Sequence, residues 1–375
     1  MDDFIYLDCN ATTPTDPRVA EAMVPFLSGF YGNPSSGHRA GREAKAAVEG
    51  ARGQVAACLG CAAEEIVFTS GGSESDNLAL RGAVAARGGG HVVTSAVEHP
   101  AVLETALAME MEGLIRLTVV GVDDRGRVDP AEVEVALDDD TALVSIMLAN
   151  NEVGTLEPVA EIARRCRRRG VLVHTDAAQA VGKIPVDVAS LGVDMLTVAG
   201  HKLYGPKGVG ALYLRSGVTI EPLIRGAGHE RRLRAGTENI LEIVGLGAAC
   251  ELVHAGIADE GPRLAFLRDR LRDRLAADVP GLVEHAAGAG RLPNTLSVGL
   301  PGAHAGRLLA AVGDRLAASA GAACHGLTVR VSHVLAAMGV PTGVALGTVR
   351  MSVGRFTTEA EVDRGAEILL EALHA

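Results

Sequence analysis

Along the chain, short apolar runs rich in β-branched residues alternate with longer stretches that mix alanine with charged residues. The runs at 65–69, 91–95, 115–120, 143–148, 171–174, 195–198 and 209–214 read as strands, since each is short and bounded by polar or glycine-containing segments. Their apolar positions do not alternate with polar ones, so both faces of each strand are covered. That pattern predicts an α/β layer structure around a mostly parallel sheet. The pair 195–198 and 209–214 departs from it. The link between them, 199–208, is glycine-rich and too short for a crossover helix, which predicts that these two strands run antiparallel.

Beyond residue 251 the period lengthens. Leu264, Leu267, Leu271 and Leu275 share one helical stripe, which predicts one or two amphipathic helices bridging into a second unit. A strand at 294–298, a helix at 305–312 and a small-residue stretch at 317–323 follow. The last helix opens on Thr358-Glu359-Ala360-Glu361, whose hydroxyl and carboxylate are spaced as a capping box. A chain of 375 residues accommodates two units of the usual ~100–200 residues each. The expected division is a large domain over 12–255 and a small one built from 1–11 and 256–375.

A net charge of -11 and a pI near 5.6 argue against nucleic acid or a membrane surface as the main partner, because phosphate-rich partners require a basic footprint. The first ten residues carry Asp2, Asp3 and Asp8 instead of the basic start and apolar core of a secretory signal. The apolar runs read here are shorter than the ~20 residues of a membrane-spanning helix. A cytoplasmic protein is expected. Its six cysteines are scattered, unlike a secreted disulfide framework, so reduced thiols are expected. Cys58 and Cys61 form a C-x-x-C with no second pair, so no metal site is expected; two buried thiols at a helix end suffice. The arginines at 164, 165, 167, 168 and 169 close a helix begun near Pro158, where cations favour the dipole.

Three segments carry candidate chemistry. The first follows the strand ending at Thr69: Ser70-Gly71-Gly72-Ser73-Glu74-Ser75-Asp76-Asn77, then a helical pattern over 78–84. Glycine amides and a helix N-terminus can cradle a phosphate, although Ser73 as a plain N-cap with Asp76 at N3 fits equally. The second is Val171-Leu172-Val173-His174-Thr175-Asp176, which delivers Asp176 to the carboxyl end of a strand, where open parallel sheets bind ligands. A carboxylate there can pair with a protonated ring nitrogen or cap the next helix. The third, Gly200-His201-Lys202-Leu203-Tyr204-Gly205-Pro206-Lys207, places Lys202 on a turn between two strands. Partial desolvation there lowers its pKa and frees its amine for a Schiff base. Lys207, in the looser part of the turn, is the competitor.

Together these segments resemble the cysteine desulfurase and selenocysteine lyase group of the class V aminotransferase family, with collinear matches from Tyr6-Leu7-Asp8 to Arg355-Phe356-Thr357-Thr358. The resemblance implies the type I fold of pyridoxal 5′-phosphate enzymes: a mostly parallel seven-stranded sheet in the large domain and a smaller α+β domain. It also implies that Lys202 binds the aldehyde, Asp176 meets the pyridinium and Gln179 bonds the ring hydroxyl. Gly72, Ser73 and His201 would hold the phosphate, and Thr237 would reach the phosphate of a second subunit, making the protein a homodimer. His99 would stack on the ring and handle protons, and Asn151 would contact cofactor and substrate. Arg350 and its helper Asn33 would grip the substrate carboxylate, a task suited to a planar bidentate donor. Ala199 stands where many relatives carry a serine, which removes one hydroxyl from the phosphate cup.

The run Ala318-Ser319-Ala320-Gly321-Ala322-Ala323-Cys324-His325-Gly326 flanks one thiol with small residues, which predicts a mobile loop in the small domain; a helix is expected to start near Ser332. By the resemblance, Cys324 would take sulfur from L-cysteine as a persulfide, leaving alanine, and pass it to an acceptor protein. A free thiol has a pKa of about 8.5, so a neighbouring cation or imidazole must enrich the thiolate. The segment Gly321-Ala322-Ala323-Cys324-His325 is closer to selenocysteine lyases than to housekeeping desulfurases, so release of selenide from L-selenocysteine is the alternative. A non-catalytic cofactor-binding scaffold for sulfur transfer is a third reading, and a transaminase leaves Cys324 unexplained.

Overall fold

The computed structural model describes residues 4–325 and 328–374. Seven strands form the central sheet in the order Ile66–Thr69, Gly210–Leu214, Met195–Ala199, Leu172–Asp176, Thr141–Ser145, Gly90–Ser95 and Ile115–Val120. All are parallel except Gly210–Leu214, which is antiparallel to both neighbours. The strand expected at 143–148 lies at Thr141–Ser145: pairing in the ladder ends before the apolar run does, and Ile146 to Ala149 continue as buried loop.

The uniform apolar character of the strands follows from cover on both faces. Phe68, Val93, Val144, Val173, Leu196 and Ala211 pack towards the helices Arg39–Leu59 and Val159–Arg167 and the start of Ile240–Asp278. Their strand neighbours Val67, Val92, Leu143, Met195 and Leu212 face Gly72–Arg87 and Pro100–Met111. Each such side chain contributes roughly 1.5–3 kcal/mol when fully buried. The arginine run ends Val159–Arg167, where Arg165 pairs with Glu161 and Glu134 and Arg168 with Glu134.

One helix, Ile240–Asp278, continues through the expected boundary near 255 and contains Pro262. Ile243, Leu246 and Cys250 belong to the first core, and the predicted stripe Leu264, Leu267, Leu271 and Leu275 to a second. Contrary to the expectation of short apolar runs, this helix is long and apolar enough to cross a membrane. Its buried side chains and its packing on Arg39–Leu59 make it a core helix. The second core lies under an antiparallel sheet ordered Ser319–Ala320, Thr348–Ser352, Thr295–Gly299 and Val283–Glu284, and under the helix Glu359–Leu373 with its Thr358/Glu361 capping box. The N-terminal strand Ile5–Tyr6 pairs with Leu316–Ala317, and Ile5 and Leu7 join this second core.

Two local readings need correction. The segment after Thr69 is helical from Gly72, not from 78, and its N-cap is Gly71 without a side-chain bond, so Ser73 is not the cap. Gly71 (φ 150) turns the chain so sharply that only glycine fits comfortably. Gly210 lies so close that a Cβ on it would come within 2.8 Å of the Gly71 backbone. The small-residue run at 322–325 is a strand, Ala322–His325, paired antiparallel with Thr328–Val331 so that Cys324 opposes Val329. The run reads as a loop because alanine and glycine signal no strand, and the β-branched residues of its partner strand come only later in the sequence. The expected helix follows as His333–Ala337, capped by Ser332.

Candidate active site

The site residues emerge from the carboxyl ends of the parallel strands, where α/β sheets place their ligands. Gly72, Ser73, His99, Asn151, Asp176, Gln179, His201, Lys202 and Arg350 line one cavity of about 320 Å³ between the main sheet and the small antiparallel sheet. A second hollow of about 400 Å³ adjoins it at Ser70 to Glu74, His201 and Lys207.

Lys202 ends the short turn Gly200–Lys202 after its strand. Its Nζ donates to the backbone carbonyls of Asn10 (2.6 Å) and Ala11 (2.8 Å). Burial pushes its pKa down to about 8; Arg350 adds to this, and Asp176 and Asp8 oppose it. An amine held by carbonyls and made less basic by burial is suited to an aldehyde. Lys207 is exposed.

Asp176 is buried, and its Oδ1 accepts from the Ala178 backbone N–H at 2.8 Å. No helix follows directly, so capping is not its task. Burial raises its pKa, while the Ala178 N–H, His99 and Lys202 favour its anion. Asp76, His99 and Asp176 bring ligand atoms within 4.8 Å of one another. Asp76 is fully buried on the helix Gly72–Arg87; its Oδ1 has no hydrogen-bond partner among the described residues and lies 3.6 Å from His174 Nε2. Burial, and after it the Asp176 charge, raises its pKa. His174 is fixed by the hydroxyls of Ser145 (2.8 Å) and Thr197 (3.0 Å), and burial pushes it down to about 3.

His99 caps the helix Pro100–Met111 through its Nδ1, which accepts from the Ala101 N–H at 3.1 Å. That bond leaves Nε2 to carry or exchange a proton, and burial lowers the ring's pKa. The residue is exposed to the cleft and is therefore not a core histidine. His201 bonds Thr12 Oγ1 at 3.2 Å, and burial followed by Lys202 and Lys207 pushes it down to about 4.

Arg350 donates through Nη2 to Asp8 Oδ1 and Ser319 Oγ, both at 2.8 Å, and through Nη1 to the Asn151 carbonyl at 3.0 Å. Its buried Nε has no partner among the described residues. Asn33 is exposed and does not line this cavity; Thr237, expected at the phosphate of a second subunit, is exposed on this chain. Asn33 Oδ1 instead accepts from Ser35 N at 2.9 Å. The side chain of Cys324 lies outside the described residues.

Sequence reading missed Asp8, Asn10, Asp76 and Lys183. Asn10 ties the two cores together: its side chain bonds Thr295 Oγ1 (2.8 Å) and accepts from Asn294 Nδ2 (2.9 Å), while its carbonyl takes Lys202 and Gln179.

The class V aminotransferase model matches residues 5–364. The chain belongs to the class V aminotransferase family. It is 46% identical over 369 residues to a cysteine desulfurase from Trichormus azollae, covering 98% of this chain and 92% of that one. Among solved structures, a NifS-like protein superposes with a TM-score of 0.92 at 40% identity over 99% of both chains. SspA in complex with cysteine does so with 0.82 at 34% identity, covering 94% of this chain and 100% of that one. Members of this desulfurase group use pyridoxal 5′-phosphate, and the residues present fit it. Lys202 donates to two backbone carbonyls, Asp176 lines the same cavity, and the Gly71–Gly72 turn opens a sixteen-residue helix.

Proposed function

We propose that the protein is a pyridoxal-phosphate-dependent cysteine desulfurase that converts L-cysteine to L-alanine and moves the sulfur to Cys324. The observation that carries this reading is the convergence of Lys202, Asp176, His99, Gln179 and Arg350 on one cavity. Lys202 would hold the cofactor, Asp176 would meet its ring nitrogen, and Gln179 would meet its ring oxygen. Gly72, Ser73 and His201 would meet the phosphate, with Thr237 reaching across from a second copy in a homodimer. The bound cofactor withdraws electrons from the substrate α-carbon.

The protein's own groups do the rest. Arg350, which lines the cavity, would take the substrate carboxylate, with Asn151 beside it and Asn33 as the proposed helper. Lys202 and the Nε2 of His99 would move protons at the substrate carbon and nitrogen. The thiolate of Cys324 would attack the substrate sulfur: an S–S bond forms, the carbon–sulfur bond breaks with its electrons left on carbon, and protonation of that carbon yields alanine. An acceptor protein would then collect the persulfide sulfur. Five free thiols among the described residues support a cytoplasmic location.

The test is to supply purified protein with L-cysteine and, separately, L-selenocysteine, and to measure alanine, sulfane sulfur and selenide. The reading requires alanine and sulfane sulfur in equal amounts from cysteine, lost in Cys324→Ala with cofactor retained. Turnover confined to selenocysteine would replace it with the lyase reading, and cofactor binding without turnover of either would leave the scaffold.

A further inference from the structure

Lys183 is a second buried amine close to this site, bonded to the cavity-lining Gln179, and none of the proposed chemistry uses it. It is 5% exposed and lies one turn beyond Gln179, in the segment where Lys183 N and Ile184 N both bond to Ala180 O. Its Nζ donates to Gln179 Oε1. The titratable groups acting on it are Lys202, Cys9 and Arg350. Two are cations, and the third is a thiol that burial pushes up to about 12. Burial, then Lys202, brings Lys183 down to about 7. A lysine in such a place is costly, and an apolar side chain would fill the same space.

Its effect on Gln179 accounts for the position. A side-chain amide can be turned either way round, and its neighbours decide which end is which. As an ammonium Lys183 offers only donors to one end, and in either protonation state the Asn10 carbonyl only accepts at the other, where Gln179 Nε2 donates at 2.9 Å. Reversing the amide would break both bonds. The second N–H of Nε2 remains, on a side chain that lines the cavity with Asp176 and Lys202.

We propose that Lys183 is a positioning residue that locks the Gln179 amide with its N–H towards the ring oxygen of the cofactor, favouring the anionic form of that oxygen. The inference rests on the proposed contact between Gln179 and that oxygen. An N–H aimed at an oxyanion stabilises it, and a carbonyl aimed at it does the reverse. The visible band of the lysine-bound cofactor reports the proton shared with that oxygen, so its pH midpoint falls when the anion is stabilised.

The experiment is a spectrophotometric pH titration, without substrate, of the holoprotein and of Gln179→Leu, Lys183→Met and the double variant. The midpoint is expected to rise by about 1 pH unit in each single variant, the effect of losing one hydrogen bond to a charged oxygen. The double variant is expected to match Gln179→Leu, because Lys183 acts through Gln179. Shifts that add in the double variant would make Lys183 a bare charge and overturn the proposal. An unchanged midpoint in Lys183→Met beside a raised one in Gln179→Leu removes the role of Lys183 alone. An unchanged midpoint in Gln179→Leu removes the contact on which the proposal rests. If Lys183→Met does not fold, Lys183→Arg keeps the donor and should retain the wild-type midpoint; a rise as large as that of Gln179→Leu would overturn the proposal.

Discussion

Replacing Arg350 with glutamine tests how the site prepares Lys202. An ordinary lysine has a pKa of about 10.4, and burial followed by the Arg350 charge brings Lys202 to about 8. Near neutral pH the fraction of neutral, nucleophilic amine is therefore roughly 200-fold that of an ordinary lysine. The sign follows from the charge: a group that loses its cationic form more easily supplies its nucleophile at lower pH. Burial remains in Arg350→Gln, so the midpoint should rise only part of the way back, by about 0.5–1 pH unit for one removed charge. The assay mixes cofactor-free protein with pyridoxal phosphate between pH 6 and 10 at constant ionic strength and follows the visible band. Wild-type capture should climb with pH and level off above about 8, the value set by the site. The variant should level off later and be about 3- to 10-fold slower at pH 7. A wild-type midpoint in the ordinary lysine range, or a variant midpoint at or below the wild-type value, refutes the reasoning.

Other consequences are direct. Asp176→Asn should lower alanine formation by about 100-fold or more, since it removes the charge proposed to face the ring nitrogen; activity within a few-fold of wild type at full cofactor occupancy would contradict that role. Glu230 accepts both ends of the buried Arg52 guanidinium at 2.7 Å and the Phe68 N–H at 2.8 Å. Glu230→Gln should therefore cost about 3 kcal/mol in urea unfolding, because it removes the buried carboxylate and leaves Arg52 only the exposed Glu49 and the Ile66 carbonyl, and a loss below about 1 kcal/mol would show that the pair is dispensable. Thr358→Ala removes a capping box from the last helix and should cost about 1 kcal/mol, read as a lower unfolding midpoint with unchanged cofactor binding.

The strands and the antiparallel turn around Lys202 were legible because each is a local pattern: an apolar run, a short link, a glycine. The leucine stripe at 264, 267, 271 and 275 and the Thr358 capping box were legible for the same reason. Asp8 and Asn10 were not. Asp8 meets Arg350 across 342 positions of chain, and no periodicity in an N-terminal segment reveals that it will cross the seam between two cores. Asp76 was visible only as a helix N-terminal acid, because the helix was expected too late; starting it at Gly72 turns that carboxylate inward beneath the site. Lys183 carried the signal of a charged residue on a polar segment, and its burial depends on strands and helices far from it in sequence. Asn33 and Thr237 entered through family resemblance, and one chain does not bring them to the cavity.

The claim on which the rest depends is that Lys202, among three lysines at or near the site, carries the cofactor. Lys183 lies buried behind Gln179, and Lys207 borders the neighbouring hollow. Borohydride reduction of the holoprotein followed by peptide mass spectrometry distinguishes them. One pyridoxyl group, on Lys202, is the expected result; a pyridoxyl group on Lys183 or Lys207, or none on any lysine, would contradict that assignment.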